Sequence, residues 1–300
     1  MDTTLQIPEK TKHGLAAGTA CAPQRADWTI DQGWAAYTPA HHAVWKTLFE
    51  RQTQLLPGLA CRDYVEGMRK LPMSADRIPN FEELSETLYK ATGWQVVAVP
   101  GLVPDDVFFD HLANRRFPSG NFIRGAHELD YLEEPDVFHD VFGHVPMLMH
   151  PVMADFIQAY GQGGLRAQKL GKLTELARVY WYTVEFGLVK ELDGLRIYGA
   201  GIASSFSESR FSVQSESPNR IAFELERVMR TNYRIDDFQE VYFVLDKLDD
   251  LLALAQTDFA PIYERLNHGS NYQPGDVLAT DTVLHRGDGS YHRARPRSAA

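Results

Sequence analysis

The chain has 300 residues, of which 44% are hydrophobic and 11% aromatic, so it can bury the core of one large domain or two small ones. Its formal net charge of −10 at pH 7 argues against nucleic acid or an anionic membrane surface as a partner. No apolar stretch approaches the ~20 residues of a transmembrane helix, the N-terminus lacks the apolar core of a secretion signal, and the 2 cysteines are too few for a disulfide framework. We therefore expect a cytoplasmic protein.

The first third of the chain carries two clear helix signals. Residues 1–26 are polar and unpatterned, which predicts a flexible N-terminal segment. Thr38 is an N-cap candidate directly before Pro39, so a helix is predicted to begin there. Asn80 is a second N-cap candidate and Gly93 is a typical helix stop, so another helix is predicted between them.

The middle of the chain mixes one strand signal with further helix signals. The β-branched stretch WQVVAVPG, residues 94–101, predicts a short strand that ends at a turn. Pro104 and Pro135 are each expected to open a helix, because proline is well accepted in the first helical turn. The pattern of residues 233–256 also predicts a helix.

The end of the chain changes in composition. Residues 269–300 are rich in Gly, Asp, Ser and Arg, which predicts a mobile C-terminal tail. Residues 27–268 show no internal repeat and no convincing linker. The predicted fold class is therefore mainly α (α+β), a single helical domain with a few short strands.

Two histidines stand in an apolar run, EPDVFHDVFGHVP, residues 134–146. Apolar neighbours disfavour a charged imidazole and require partners for its ring nitrogens. On an ideal α-helix, His139 and His144 would lie about 140° apart. Gly143 could, however, end the helix and let His144 turn back toward His139. Both rings are then either hydrogen-bonded core or cap histidines, or ligands of a group between them.

A glutamate stands in a second apolar segment, ARVYWYTVEFGLVK, residues 177–190. The segment is apolar on all sides, which predicts a buried helix. Glu185 is the one carboxylate in it, and a buried carboxylate needs a cation or a metal. A salt bridge with Arg178 or Arg124 would satisfy this need as well as a metal would.

Together, the two imidazoles and the carboxylate match the facial triad of non-haem iron enzymes, which leaves coordination positions open for oxygen and substrate. Zinc is the alternative, because it also binds two histidines and a glutamate. The common zinc-protease motif places its histidines four positions apart, with a glutamate after the first. Here the histidines are residues 139 and 144, and Asp140 follows the first. This difference weakens the protease interpretation but leaves a zinc site open.

Three segments carry a resemblance to a known family: PDVFHDVFGHVP (135–146), YWYTVEFGL (180–188) and YGAGIASSFSES (198–209). In this order they resemble the signature segments of the pterin-dependent aromatic amino acid hydroxylases, most closely of bacterial members that act on phenylalanine. The resemblance runs from about Trp28 to Leu266 and implies the aromatic amino acid hydroxylase fold for a catalytic domain over 27–268.

The activity implied is the conversion of L-phenylalanine to L-tyrosine, as in phenylalanine catabolism. It would use O2 and a tetrahydropterin (tetrahydrobiopterin or a related compound) at a mononuclear non-haem Fe(II) site. The alternatives are a tyrosine or tryptophan hydroxylase of the same fold, a zinc-dependent hydrolase, and a sensor that binds amino acids without catalysis.

The resemblance also implies roles for single residues. The implied iron ligands are His139, His144 and Glu185. The implied substrate-binding residues are Arg124 at the carboxylate, Trp181 at the ring, and Ser204. The positions implied to bind pterin are Gly101, Leu102, Phe108, Asp140, Ala177 and Tyr180. Glu208 is implied to support the site without touching the iron.

The chain departs from the animal members of this family in four ways. Asp140 stands where they usually have glutamate, and Leu132 stands where they often have threonine near the substrate carboxylate. The segment before the predicted domain is too short for their regulatory domain, and the tail lacks the heptads of their oligomerisation helix. The resemblance therefore implies a monomeric catalytic domain.

Overall fold

The computed structural model of the chain describes residues 24–130 and 134–295. The N-terminal segment predicted to be flexible lies almost entirely outside these ranges, and so does Leu132. In the described ranges, no helix combines the length and the apolar composition that crossing a bilayer requires.

Helices make up most of the ordered structure. The α-helices are α1 (Pro39–Leu55), α2 (Arg62–Lys70), α3 (Phe81–Thr92), α4 (Asp105–Ala113), α5 (Val145–Leu148), α6 (Pro151–Lys169), α7 (Leu173–Tyr180), α8 (Ala200–Ala203), α9 (Phe206–Gln214), α10 (Leu225–Met229), α11 (Asp250–Ala255), α12 (Ala260–Leu266) and α13 (Ser290–Arg293). A 3₁₀ turn covers Trp34–Ala36. Two π-helices cover Phe138–His144 and Trp181–Glu185.

The strands form two small sheets. They are β1 (Gln95–Val99), β2 (Arg116–Gly120), β3 (Leu188–Glu191), β4 (Gly194–Ile197), β5 (Asn219–Ala222), β6 (Val241–Leu245) and β7 (Val283–His285). Strands β1 and β2 pair in parallel. The other five have the order β4-β3-β6-β5-β7, with β3, β6 and β5 parallel and the two edge strands antiparallel. This mixture confirms the predicted α+β class.

The helix signals read from single residues are confirmed. The Thr38 side chain accepts a hydrogen bond from the His41 amide at the start of α1. The Asn80 side chain accepts from two amides at the start of α3, and Gly93 ends that helix with φ 76°. A left-handed residue at this position favours glycine, which has no Cβ to clash.

The helix predicted over residues 233–256 is largely wrong. Residues Val241–Leu245 form β6, the central strand of the five-stranded sheet, and helix returns only at Asp250. All five residues of β6 are buried, since neighbours cover both faces of the strand. A strand buried on both faces shows no alternation of polar and apolar residues, so its pattern resembles that of a buried helix.

Two glycines bring α4 close to the long helix α6. A Cβ on Gly161 would lie 2.4 Å from the Ala113 nitrogen, and a Cβ on Gly164 would lie 2.1 Å from the Phe109 ring. These distances are too short for any side chain, so the backbone of α6 lies directly against the backbone of α4 at Gly161 and against the Phe109 ring at Gly164. The contact fixes α4, and with it Phe108, next to the interior of the domain.

The structure differs from the expectation for the C-terminal tail. Strand β7 pairs with β5 and closes one edge of the sheet. Asp281 forms a buried, two-pronged salt bridge with Arg227 of α10, with nitrogen–oxygen distances of 2.9 and 3.2 Å. The composition of the tail did not predict this docking, because a segment can dock through a few specific contacts without being apolar itself.

We expect Asp281→Asn to lower the free energy of unfolding by about 3–5 kcal/mol, since it leaves the Arg227 charge buried and only partly paired. Urea unfolding would measure this loss. The matched control is Asp193→Asn, because Asp193 pairs with Arg196 but its side chain is 73% exposed. The control should cost no more than about 1 kcal/mol. Equal losses in both variants would mean that the tail is not held by its buried ion pair.

Candidate metal centre

The first π-helix brings the two histidines of the apolar run together. Its hydrogen bonds join residues five apart, so His139 and His144 meet on one face. Their Nε2 atoms are 3.4 Å apart. The sequence suggested that the helix could end at Gly143, but the π-helix continues to His144. Gly143 instead permits a close approach, because a Cβ there would lie 2.8 Å from the carbonyl oxygen of Ala200 in α8.

The second π-helix ends at Glu185 and aims its carboxylate at both histidines. Oε1 lies 3.2 Å from Nε2 of His144, and Oε2 lies 3.6 Å from Nε2 of His139. The potential ligand atoms of the three residues all lie within 4.8 Å of one another. Across residues 24–130 and 134–295, this is the one group of at least three His, Cys, Asp or Glu side chains with a geometry that could hold a metal.

The protonation states of His139 and Glu185 suit a metal. Burial lowers the pKa of His139 to about 4, so its ring is neutral near pH 7. Burial alone would raise the pKa of Glu185, but the two histidines and a hydrogen bond from the Gly201 backbone hold it below its usual value. Neutral imidazole and ionised carboxylate are the forms that coordinate metal ions.

Ser204 lies behind His139, although the resemblance implies a substrate contact for it. Its hydroxyl donates to the Ala200 carbonyl oxygen at 2.8 Å, so it is an acceptor toward Nδ1 of His139 at 3.0 Å. The Nδ1–H of His139 therefore donates to Ser204, and the lone pair of Nε2 faces Glu185 and His144. Fixing the tautomer in this way is the usual role of a hydrogen-bond partner behind a metal-binding histidine.

Arg124 is buried and held by Asp136. The guanidinium donates from Nε and Nη2 to the two carboxylate oxygens, each at 2.8 Å. Asp136 also accepts from the backbone amides of Arg124 and His139, both at 3.0 Å. One carboxylate therefore connects the residue predicted to hold the substrate with the helix that carries His139. The structure pairs Arg124 with Asp136 and not with Glu185, so the alternative salt bridge between Arg124 and Glu185 is not formed.

Sequence reasoning missed the role of Asp136. A signal was present, because an aspartate three residues before His139, at the start of a helix, is a typical capping residue. The other candidate partner of Glu185 is also excluded: Arg178 donates to the Met229 carbonyl and to two asparagine side chains.

Two aromatic residues predicted to face the pterin lie beside His144. The Tyr180 ring is 6.3 Å from the His144 ring, with an angle of 23° between the planes. Phe108 meets Tyr180 edge-on at 6.0 Å. Ala177 lies one turn before Trp181, on the same half-buried side of the helix as Tyr180. These rings line one side of the candidate centre.

The remaining predicted pterin residues lie on loops or inside the protein. Gly101 and Leu102 belong to the loop between β1 and α4, and Leu102 is exposed. Asp140 is buried and accepts a hydrogen bond from the Gly120 amide at 2.8 Å. Burial raises the pKa of Asp140 to about 7.

Trp181, the predicted wall for the substrate ring, is held by two residues that the sequence did not suggest. Its ring stacks on Tyr233 at 4.2 Å, and its indole N–H donates to Oε1 of Gln239 at 3.0 Å. Glu208 lies behind Gln239 and accepts from its backbone amide and from the Tyr242 hydroxyl. Burial raises the pKa of Glu208 to about 7. Glu208 therefore contacts Gln239 and Tyr242 rather than the histidines, and the supporting role predicted for it would act through Gln239.

The chain is similar to a well-described group of enzymes. Residues 31–273 match the family model described as biopterin-dependent aromatic amino acid hydroxylase. The phenylalanine-4-hydroxylase of Caulobacter vibrioides is 60% identical over 92% of this chain and 94% of its own. That of Ralstonia nicotianae is 54% identical over 94% of this chain and 90% of its own. The crystal structure of Chromobacterium violaceum phenylalanine hydroxylase with iron and phenylalanine bound is 52% identical and covers 88% of this chain and 96% of its own, with a TM-score of 0.84.

Proposed function

The chain belongs to the biopterin-dependent aromatic amino acid hydroxylase family, and from this premise we propose how its residues convert L-phenylalanine to L-tyrosine. It is a pterin-dependent non-haem iron monooxygenase that uses O2 and a tetrahydropterin. The observation that carries the assignment is the convergence of two imidazoles and a carboxylate in a chain so similar to phenylalanine-4-hydroxylases. No specific observation favours a zinc hydrolase or a sensor.

His139, His144 and Glu185 would hold Fe(II), which supplies the position where O2 is activated. Three protein donors leave the other coordination positions of an iron ion free for small molecules. The Phe117 ring packs 4.8 Å from the His144 ring and keeps water away from that side. Ser204 keeps the Nε2 lone pair of His139 directed at the metal position.

Arg124 would bind the carboxylate of the substrate. A guanidinium has five N–H donors, of which the side chain of Asp136 takes two, so the rest can form a second pair of charged hydrogen bonds. Asp136 fixes the direction of these donors. Trp181 would then lie along the substrate ring, with the far end of the ring toward the iron ligands.

The pterin would bind on the side lined by Phe108 and Tyr180. Phe108 would stack on the pterin ring, Gly101 and Leu102 would offer backbone groups, and Ala177 would leave space for the ring beside Tyr180. Asp140 would contact the pterin through water. Its carboxylate is shorter than glutamate and is already tied to the Gly120 amide.

We further propose that the enzyme acts as a monomer in the cytoplasm, without nucleic-acid or membrane partners. The net charge of −10 and the presence of only 2 cysteines support this proposal.

Phenylalanine is expected to have a higher kcat/KM than tyrosine or tryptophan. The hydroxyl of tyrosine would enter an apolar end of the pocket, and pockets of this kind reject an added hydroxyl by about 100-fold. The measurement is product formation from each amino acid with Fe(II) and a tetrahydropterin, with metal analysis of the purified protein. A higher value for tyrosine or tryptophan would change the substrate assignment alone. Zinc in the protein and no hydroxylation would favour the hydrolase.

A further inference from the structure

One loop forms both contacts that orient Trp181. We call Tyr233–Gln239 the rim loop. The Tyr233 ring lies nearly parallel to the indole, with 15° between the planes, and Gln239 accepts the indole N–H. The two contacts restrain the ring from its face and from its edge. A shift of the rim loop would therefore shift Trp181.

The amide of Gln239 is fixed in one orientation. An indole N–H can only donate, so Oε1 must face Trp181. The Nε2 group then donates to the Arg234 carbonyl at 2.8 Å, within the rim loop itself. The backbone amide of Gln239 donates to Glu208 at 3.3 Å. Gln239 therefore has little freedom as long as the rim loop keeps its conformation.

The C-terminal helix α13 holds the other side of the rim loop. The Tyr291 ring stacks on Phe238 at 5.2 Å with 22° between the planes, and it lies 4.9 Å from the Phe211 ring. The Tyr291 hydroxyl donates to Asp237 at 2.9 Å, and Nε2 of His292 donates to the Phe238 carbonyl oxygen at 2.9 Å. Asp237 and Phe238 directly precede Gln239.

The contacts with α13 are part of what holds the rim loop in shape. The chain between Asn232 and β6, which includes the rim loop, contains neither helix nor strand, and Ile235 at the tip of the loop is 73% exposed. Contacts inside the loop, such as the ion pair of Arg234 with Asp236, therefore act together with contacts from neighbouring elements, and α13 supplies the latter at Asp237 and Phe238. A contiguous set of contacts thus runs from Tyr291 through Phe238 and Gln239 to Trp181.

We propose that Tyr291 and Gln239 are positioning residues for the aromatic ring of the substrate. The helix α13 holds the rim loop, and the rim loop holds Trp181 in the orientation that the ring of phenylalanine meets. This inference rests on the proposed function, in which Trp181 is the wall of the ring pocket. It gives the C-terminal segment a role in substrate binding, 110 residues after Trp181 in the case of Tyr291.

The first test measures the environment of the Trp181 ring directly and does not depend on enzyme activity. The full chain has 5 tryptophans, so labelling with 5-fluorotryptophan should give a resolvable set of ¹⁹F signals, and Trp181→Phe identifies the signal of Trp181. In Tyr291→Ala and in Gln239→Met we expect this signal to shift or broaden while the other four stay in place. Tyr291→Phe keeps the ring stack and loses only the hydrogen bonds of the hydroxyl, which donates to Asp237 and accepts from Arg295, so its shift should be smaller. Tyr89→Ala is the control, because that tyrosine is 62% exposed on α3.

The second test separates positioning from general damage. In Tyr291→Ala and Gln239→Met the KM for phenylalanine should rise about tenfold, since a small misplacement of a binding group can cost up to a hundredfold. Less tyrosine should form per tetrahydropterin oxidised. The KM for tetrahydropterin and the iron content should each stay within about twofold of the wild-type value, because neither Tyr291 nor Gln239 contacts the iron ligands or the side lined by Phe108 and Tyr180. In the double variant, the KM for phenylalanine should rise by less than the product of the two single increases, as expected for residues in one chain of contacts.

Three results would overturn the proposal. One is an unmoved Trp181 signal in Tyr291→Ala. Another is an equal rise of both KM values together with a lower Tm, which indicates loss of structure only. The third is additive effects in the double variant. If the wild type forms no tyrosine, the proposed function fails, and the ¹⁹F signals still decide whether α13 holds Trp181. Spectra of Tyr291→Phe, recorded below its Tm, keep the test decisive if the alanine variant does not fold.

Discussion

Glu185→Gln is expected to abolish iron binding and tyrosine formation while the fold survives. Glutamine has nearly the same shape as glutamate but lacks the negative charge, and a neutral amide is a weak ligand for Fe(II). The loss of affinity should exceed about a hundredfold, the largest effect typical of residues that only support a ligand. Iron content after gel filtration, tyrosine formed per minute and the far-UV circular dichroism spectrum would measure the three parts of this expectation. His139→Ala and His144→Ala should give the same result.

The matched control is Glu175→Gln on α7, because Glu175 pairs with Lys172 at 3.1 Å and lies away from the histidines. We expect this variant to keep its iron and its turnover and to lose at most about 1 kcal/mol of stability. Normal activity in Glu185→Gln would exclude Glu185 as a ligand. Loss of the circular dichroism signal would mean instead that the buried carboxylate is needed for folding.

Arg124→Lys is expected to raise the KM for phenylalanine by at least about a hundredfold, because a hydrogen bond between charged groups contributes about 1.5–3 kcal/mol and two would be lost. Lysine keeps the charge but not the planar fork that can bind Asp136 and a substrate carboxylate at once. The KM for tetrahydropterin should change little. Steady-state kinetics with each substrate varied in turn would measure both values.

Arg51→Lys is the control for this prediction. Arg51 also pairs with an aspartate, Asp130, at 2.6 Å, but that carboxylate is 76% exposed. Its replacement should leave both KM values close to those of the wild type. If Arg124→Lys raised the KM for tetrahydropterin and left phenylalanine unchanged, Arg124 would belong to the pterin site. A fall in Tm without any change in KM would give Arg124 a structural role with Asp136.

The parts of the fold that could be predicted are those that depend on local chemistry. The caps at Thr38 and Asn80 and the glycine stop at Gly93 act on the backbone within a few residues, so the sequence alone reveals them. Strand β6 could not be distinguished from a helix, because its burial comes from strands and helices far away in the chain. The docking of residues 269–295 depends on partners such as Arg227 and was missed for the same reason.

The same distinction holds for the candidate site. The imidazoles and the carboxylate were found because polar groups in apolar segments are conspicuous, and their roles as iron ligands remain predictions. The two histidines come together only because their segment forms a π-helix, and no residue pattern predicted that helix type. Gln239 and Tyr233 were missed because a side chain that orients another one has no motif of its own. Asp136 was the exception, since its capping position was visible and only its bond to Arg124 was not.

The wide turn of the first π-helix changes how ligand spacings should be compared between proteins. On an α-helix, residues four apart lie about 40° from each other, and metal-binding helices with that spacing use it to present two histidines together. The segment Phe138–His144 reaches an equivalent meeting of side chains with one more residue, which the wider turn takes up. Deleting one codon between His139 and His144 would therefore exchange one spacing for the other and leave both rings on the same face. A designed scaffold or a search pattern that treats the two spacings as unrelated separates helices that differ by a single deletion.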